Sequence, residues 1–231
     1  MLSGDVRIRF LVTKLIIKHP TERQDFYDMD MRINKVLQDE GLNFGELERK
    51  ADSQISRLCA LELKNLDRLH DKLYSPLMDK VMVFITKTGN LGIIWFVAFC
   101  LMLLVDRKKT DIYTYVISLI LCVIIGNIII KNLVRRSRPF FHKEYKLLIK
   151  RPWDFSFPSG HTLSSFAAAT VLFQINSTVG IVAIIYAVLI ALSRLYLRVH
   201  FFTDVFFSMV LGVCLGIVAK WVYLTYLIDL L

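Results

Sequence analysis

Apolar residues follow two different patterns along this 231-residue chain. Up to about residue 89 they recur at helical spacing inside polar sequence. Beyond that point they gather into long runs. In the first part Leu47, Ala51, Ile55, Leu58, Leu66, Leu69 and Leu73 line one helical face, which only Glu62 interrupts and Pro76 closes. Thr21 with Gln24 makes a capping box, and Gly41 a stop, so a helix is expected over 21–40. Residues 6–18 mix Arg7, Arg9, Lys14 and Lys18 with apolar neighbours, a composition that fits an interfacial membrane helix or a solvated surface helix alike. Arg9 and Lys14 break the stretch, and no small-residue cleavage site follows, so it is not read as a signal peptide.

The second part holds five apolar runs, at about 90–105, 112–130, 161–175, 179–197 and 205–228. A bilayer-spanning helix needs about 20 residues. The second, fourth and fifth runs reach that length; the first and third are short and are expected to extend into flanking polar residues. Backbone groups in lipid must bond within their own segment, so the runs predict helices. The expectation is an all-α, polytopic membrane bundle of about five transmembrane helices over 76–231, preceded by a soluble or interfacial helical segment over 1–75. Asp106-Arg107-Lys108-Lys109 forms a charged turn between the first two runs, and Asn176-Ser177-Thr178 a minimal one between the third and fourth.

Composition sharpens this picture. Hydrophobic residues make up 55% of the chain, above the roughly 45–50% of soluble domains. That excludes disorder and disfavours a nucleic-acid partner, although the net charge is +9. Residues 1–89 carry 15 Lys/Arg against 14 Asp/Glu, whereas residues 90–231 carry 14 against 6. The excess charge therefore lies in the apolar part, where it points to anionic lipid or a phosphorylated substrate. Cys100, Cys122 and Cys214 lie in apolar runs and Cys59 in polar sequence, with no metal-ligand spacing among them, so small buried hydrophobes are expected.

Ionisable groups at span ends are costly unless they serve a site. Three clusters qualify: Lys131 to Arg138, Pro158-Ser159-Gly160-His161, and Ser193, Arg194, His200 and Asp204. The second run ends at the first cluster, the third begins at the second, and the fourth ends at the third, so alternating spans bring all three to one side. Lys131 and Arg138 are two helical turns apart and share a face if the helix persists. They suit phosphate oxygens, whereas Arg135 and Arg136 read as a snorkelling basic belt. Ser159 is placed to cap a helix, and Gly160 lets backbone approach a ligand at the anion-attracting helix end. His161 sits in that first turn. His200 and Asp204 are four apart, so the carboxylate can orient the imidazole. Two histidines and the cations, Arg194 included, supply a nucleophile, a proton donor and charge stabilisers for phosphoryl transfer. No carboxylate cluster suggests a metal, and no cofactor is expected.

These residues resemble the type 2 phosphatidic acid phosphatase (PAP2) superfamily, which shares its core with vanadium haloperoxidases. Its three motifs stand here in order as Lys131, Arg138, Pro139; Pro158 to His161; and Ser193, Arg194, His200, Asp204. The likeness covers about residues 76–228, with Thr86 to Trp95 similar to the family's first region. It implies that His200 forms a phosphohistidine, Asp204 orients it and His161 protonates the leaving oxygen. It also implies that Lys131, Arg138, Ser159, Gly160 and Arg194 hold the phosphoryl oxygens without a metal. The short span set resembles small bacterial undecaprenyl-diphosphate phosphatases. A lipid phosphate or diphosphate, such as a polyprenyl diphosphate, phosphatidate or phosphatidylglycerophosphate, is the expected substrate. Phosphotransfer to an acceptor other than water and non-catalytic lipid binding are the alternatives; the apolar runs disfavour a haloperoxidase. The expected location is the cell membrane. Loop Lys/Arg counts put the catalytic face inside by the positive-inside rule, but substrate-binding cations inflate that count, and for a bacterial chain the outer face is expected. Segment 1–75 fits homo-oligomerisation, membrane association or regulation of access.

Overall fold

The computed structural model describes residues 44–105 and 108–228, and every regular element among them is helical. The chain divides into two compact units, Met1–Leu61 and Glu62–Leu231. The helix expected over 21–40, the stretch 6–18, and Asp106 and Arg107 of the charged turn lie outside the described residues.

The first helix, α1 (Phe44–Leu73), covers the predicted periodic stretch and stops before Pro76, although Leu58 and Leu73 of its expected apolar face are exposed. Within the second unit its Leu66 is fully buried, and Glu62, the residue that interrupts the seam, is buried too. Ser75 caps α2 (Pro76–Thr88) by accepting from the Met78 amide at 3.0 Å, with proline at the first helical position, where its missing N–H costs nothing. A 3₁₀ turn, Asn90–Gly92, leads into α3 (Ile93–Val105). Next come α4 (Lys109–Leu121), a π-helical stretch Cys122–Ile130, α5 (Lys131–Val134) and the single-turn α6 (Pro139–His142). A long loop reaches α7 (Gly160–Ile175), followed by α8 (Ser177–Tyr196) and α9 (Phe202–Val222). Between α7 and α8 the Asn176 side chain accepts from the amides of Thr178 and Val179, which makes the expected minimal turn an N-cap.

Helix α7 is the hub, packed against α8, α9 and α4. Its Ala167, Ala168 and Ala169 are fully buried. On α9, a Cβ at Gly212 would stand 2.6 Å from Leu163 O, and one at Gly216 2.8 Å from Thr170 Cβ. Small residues four apart thus let two backbones approach closely, the device that replaces hydrophobic driving force between helices in lipid. Outward, large apolar side chains such as Phe96, Leu104, Ile128, Val182, Phe206 and Trp221 are exposed. Such a surface suits hydrocarbon rather than water.

Three helical stretches are long and apolar enough to cross a bilayer: Lys109–His142, Ser177–Tyr196 and Phe202–Leu227. Helices α2 and α3 are together apolar and long enough only as a pair bent by 55°, which has the form of a broken span or of a re-entrant loop. The third run does not lengthen as expected. Helix α7 stays at 16 residues because Ser159 and Asn176 flank it in extended conformation. Cys122 is buried as expected, but Cys214 is exposed on α9.

Candidate active site

Helix termini deliver each motif. The helix carrying Lys131 does not persist to Arg138: Arg135 adopts a left-handed φ of 49° and ends α5. Arg138 instead lies in extended backbone as the N-cap of α6, where Pro139 starts the new turn. The two cations still meet, because a loop carboxylate joins them. Lys131 Nζ donates to Asp154 Oδ2 at 2.5 Å, and Arg138 Nη2 donates to Asp154 Oδ1 at 2.6 Å. Arg138 Nε also donates to Asp154 O at 2.9 Å. Burial alone would raise the Asp154 carboxyl, but Arg138 and Lys131 outweigh it and hold the group well below the usual carboxylate range.

His200 is 1% exposed in the turn between α8 and α9. Its Nδ1 lies 2.7 Å from Ser156 O, a carbonyl that only accepts, so Nδ1 carries the proton. The Nε2 lone pair is then free to accept, and Arg138 Nη1 donates to it at 3.1 Å. Burial first, then the charges of Arg138, Arg194 and Lys131, push the imidazole well below the ordinary histidine value, against the bond to Ser156. The resting ring is therefore neutral.

Asp204 is not the direct hydrogen-bond partner of His200 that helical spacing suggested. Its Oδ2 stands 3.6 Å from Nδ1, because that oxygen already accepts from Ser156 Oγ at 2.5 Å and the Phe201 amide at 2.9 Å. Asp204 therefore caps α9 while its charge faces the ring. Its Oδ1 accepts from Arg136 Nη1 at 2.6 Å. This corrects the reading of Arg136 as part of a snorkelling belt. The left-handed turn at Arg135 sends Arg136 inward, over the Phe201 ring at 4.0 Å, while exposed Arg135 bonds only to Asn132 O among the described residues.

Two expectations for the second motif also change. The Ser159 hydroxyl does not cap α7; it pairs with Thr162 Oγ1 at 3.0 Å, while the Ser159 amide donates to Ser208 Oγ at 2.8 Å. A Cβ at Gly160 would stand 2.8 Å from Asn127 Oδ1, so the missing side chain admits a neighbouring helix rather than open space for a ligand. His161 Nε2 donates to Asn90 Oδ1 at 2.9 Å, which ties it to the turn between α2 and α3. Buried Arg194 donates from Nη1 to Thr86 Oγ1 at 2.5 Å. Its Nε meets no acceptor among the described residues.

Sequence reasoning missed Asp154, Ser156, Asn90 and the role of Arg136. Only Asp154 left a trace, as one of six acidic residues in the basic half.

A helical membrane bundle that converges two histidines and buried cations at its helix ends defines a class of phosphoryl-transfer proteins. The PAP2 superfamily model matches residues 111–227, and the chain belongs to that family. It is 35% identical over 137 residues to an undecaprenyl-diphosphatase of Sulfolobus acidocaldarius, covering 58% of this chain and 66% of that one. The chain thus spans just under two thirds of that relative. It is 28% identical over 150 residues to the undecaprenyl-diphosphatase BcrC of Bacillus subtilis, covering 62% and 74%. The structure of LpxE from Aquifex aeolicus aligns with a TM-score of 0.60 at 26% identity, over 69% of this chain and 94% of that one. A PAP2-type phosphatidylglycerolphosphate phosphatase from Bacillus subtilis shares the fold, with a TM-score of 0.61 at 22% identity over 74% and 88%. With its apolar outer surface, this is a multi-pass membrane protein.

Proposed function

We propose that the chain hydrolyses a phosphate or diphosphate headgroup of a membrane lipid, with a polyprenyl diphosphate as the favoured substrate. One observation carries the reading: His200 Nδ1 is locked on Ser156 O, which leaves the Nε2 lone pair beside the Arg138 guanidinium. A phosphoryl group held by that guanidinium sits against the nucleophile. In the first step Nε2 bonds to phosphorus and the bond to the leaving oxygen breaks. His161, which takes up a second ring proton as the anionic headgroup enters, gives that proton to the leaving oxygen. Positive charge growing on the ring is met by Asp204, 3.6 Å from Nδ1. Lys131, Arg138 and Arg194 take the equatorial oxygens, Arg194 through its unpartnered Nε. Ser159 and Gly160 open α7, whose N-terminal dipole favours the anion while the Ser159 amide itself stays on Ser208. In the second step water, deprotonated by His161, attacks phosphorus, the P–N bond breaks and inorganic phosphate leaves. No step runs through a metal.

The test is phosphate release by detergent-purified protein from undecaprenyl diphosphate, phosphatidate and phosphatidylglycerophosphate. Release from the diphosphate, lost in His200→Ala and insensitive to EDTA, supports the reading. Loss of activity with EDTA, or normal turnover by that variant, overturns it. For a bacterial chain the catalytic face is set on the outer side of the cell membrane. Single cysteines at Lys108 and Glu144 check this: an impermeant thiol reagent should label only the second in intact cells.

A further inference from the structure

Glu62 belongs to none of the motifs, and it precedes the segment matched by the family model. It breaks the apolar seam of α1 yet is only 8% exposed. Its Oε1 accepts from the Thr203 amide at 2.9 Å and from Thr203 Oγ1 at 2.8 Å. Its Oε2 accepts from Arg136 Nη2, and the same guanidinium donates through Nη1 to Asp204 Oδ1 at 2.6 Å. A continuous chain therefore runs from Glu62 through Arg136 to Asp204, and on through Ser156 to His200.

We propose that Glu62 is a positioning residue for the phosphoryl-transfer step, holding Arg136 between two carboxylates so that Asp204 keeps the charge needed to steady the His200 imidazolium. This rests on the hydrolase reading above. The physics is a division of one cation. An arginine bonded to Asp204 alone would spend its whole charge there and cancel the field that Asp204 exerts on the ring. Shared with Glu62, it leaves net negative charge on the three-group cluster. The fork of the guanidinium makes the sharing possible, since each Nη serves one carboxylate. Phe201 beneath the guanidinium holds its plane. Glu62 touches no reacting atom, so its effect falls on turnover and not on headgroup binding.

A purely structural role for α1 makes a different prediction, and Asp67 separates the two. That residue of α1 pairs with Lys143 at 2.7 Å and Arg198 at 3.5 Å, away from Asp204. In the phosphate-release assay with undecaprenyl diphosphate, Glu62→Gln should lower kcat about tenfold with KM within about twofold. Asp67→Asn should leave kcat within about twofold of wild type. Because Glu62 acts through Asp204, Glu62→Gln combined with Asp204→Asn should be no slower than Asp204→Asn alone. If Glu62→Gln does not fold, Arg136→Lys replaces it: the charge stays but cannot bridge two carboxylates, and the same kcat loss is expected. Unchanged kcat in the folded variant, equal losses in Glu62→Gln and Asp67→Asn, or multiplying losses in the double variant would each overturn the proposal. If wild type releases no phosphate from any lipid, the hydrolase reading falls by itself. Orthovanadate, bonded to His200 Nε2 as a five-coordinate mimic of the transition state and not of the bound headgroup, then tests Glu62: about tenfold weaker binding in Glu62→Gln supports the proposal, and equal affinity overturns it.

Discussion

Two carboxylates face the basic groups of the candidate site, and they are built in opposite ways. Asp204 has no exposed surface, starts a long helix, and accepts from Ser156, Phe201 and Arg136. Asp154 lies in the loop between α6 and α7, with 38% of its side chain exposed, and faces Lys131 and Arg138. The first is a fixture: moving it would strip a helix cap and take from Arg136 one of its two carboxylate partners. The second holds the two cations that the proposed mechanism assigns to phosphate oxygens. In that mechanism it serves as an exchangeable counter-anion, keeping Lys131 and Arg138 in place until a headgroup arrives.

Experiments can break this contrast. The largest effect belongs to His200, the nucleophile of the proposed mechanism. His200→Ala should lower phosphate release by at least about a thousandfold without loss of the folded state, checked by turnover and thermal unfolding in detergent. Asp204→Asn should come next, with a kcat loss of order a hundredfold and a lower Tm, since charge at the ring and at Arg136 goes together. Asp154→Asn should act on binding. With the competing anion neutralised, the Kd for orthovanadate should tighten about threefold, measured by calorimetry. A Kd loosened as much as by Lys131→Ala would make Asp154 a fixture too.

The smallest effect is one of pH. The folded state keeps His200 neutral, because its pKa is depressed, whereas the unfolded chain protonates it near pH 6.5. Below that pH the unfolded chain binds the extra proton, so stability falls as pH falls. Wild type should therefore lose Tm between about pH 6.5 and 5 more steeply than His200→Ala. Asp154 contributes nothing to this slope. Its folded pKa is depressed, so its ion pairs persist above the unfolded value of about 3.9 and are lost only as pH falls further.

The bundle was legible from the apolar runs, and the site from residues at their ends. His200, Arg138, Lys131 and Arg194 do come together, but the intervening geometry was not written in residue spacing. Ser156 acts largely through its backbone carbonyl, which every residue carries. Arg136 looked like its neighbour Arg135 because a left-handed turn, not composition, sends one inward and the other out. Asp154 sits on a loop, where periodicity is silent. Glu62 did leave a mark: it was the one acidic break in an apolar seam, and such a break in an otherwise regular face records a partner waiting on the other side.

The hub helix α7 has a further consequence. At 16 residues it is about 24 Å long, shorter than the roughly 30 Å hydrocarbon layer, yet its neighbours α8 and α9 are longer. Those outer helices meet the lipid and absorb hydrophobic mismatch by tilting. Helix α7, packed on protein, carries His161 at a depth set by side-chain contact. Bilayers of different thickness should then change how the protein is seated without changing the distance between its two histidines.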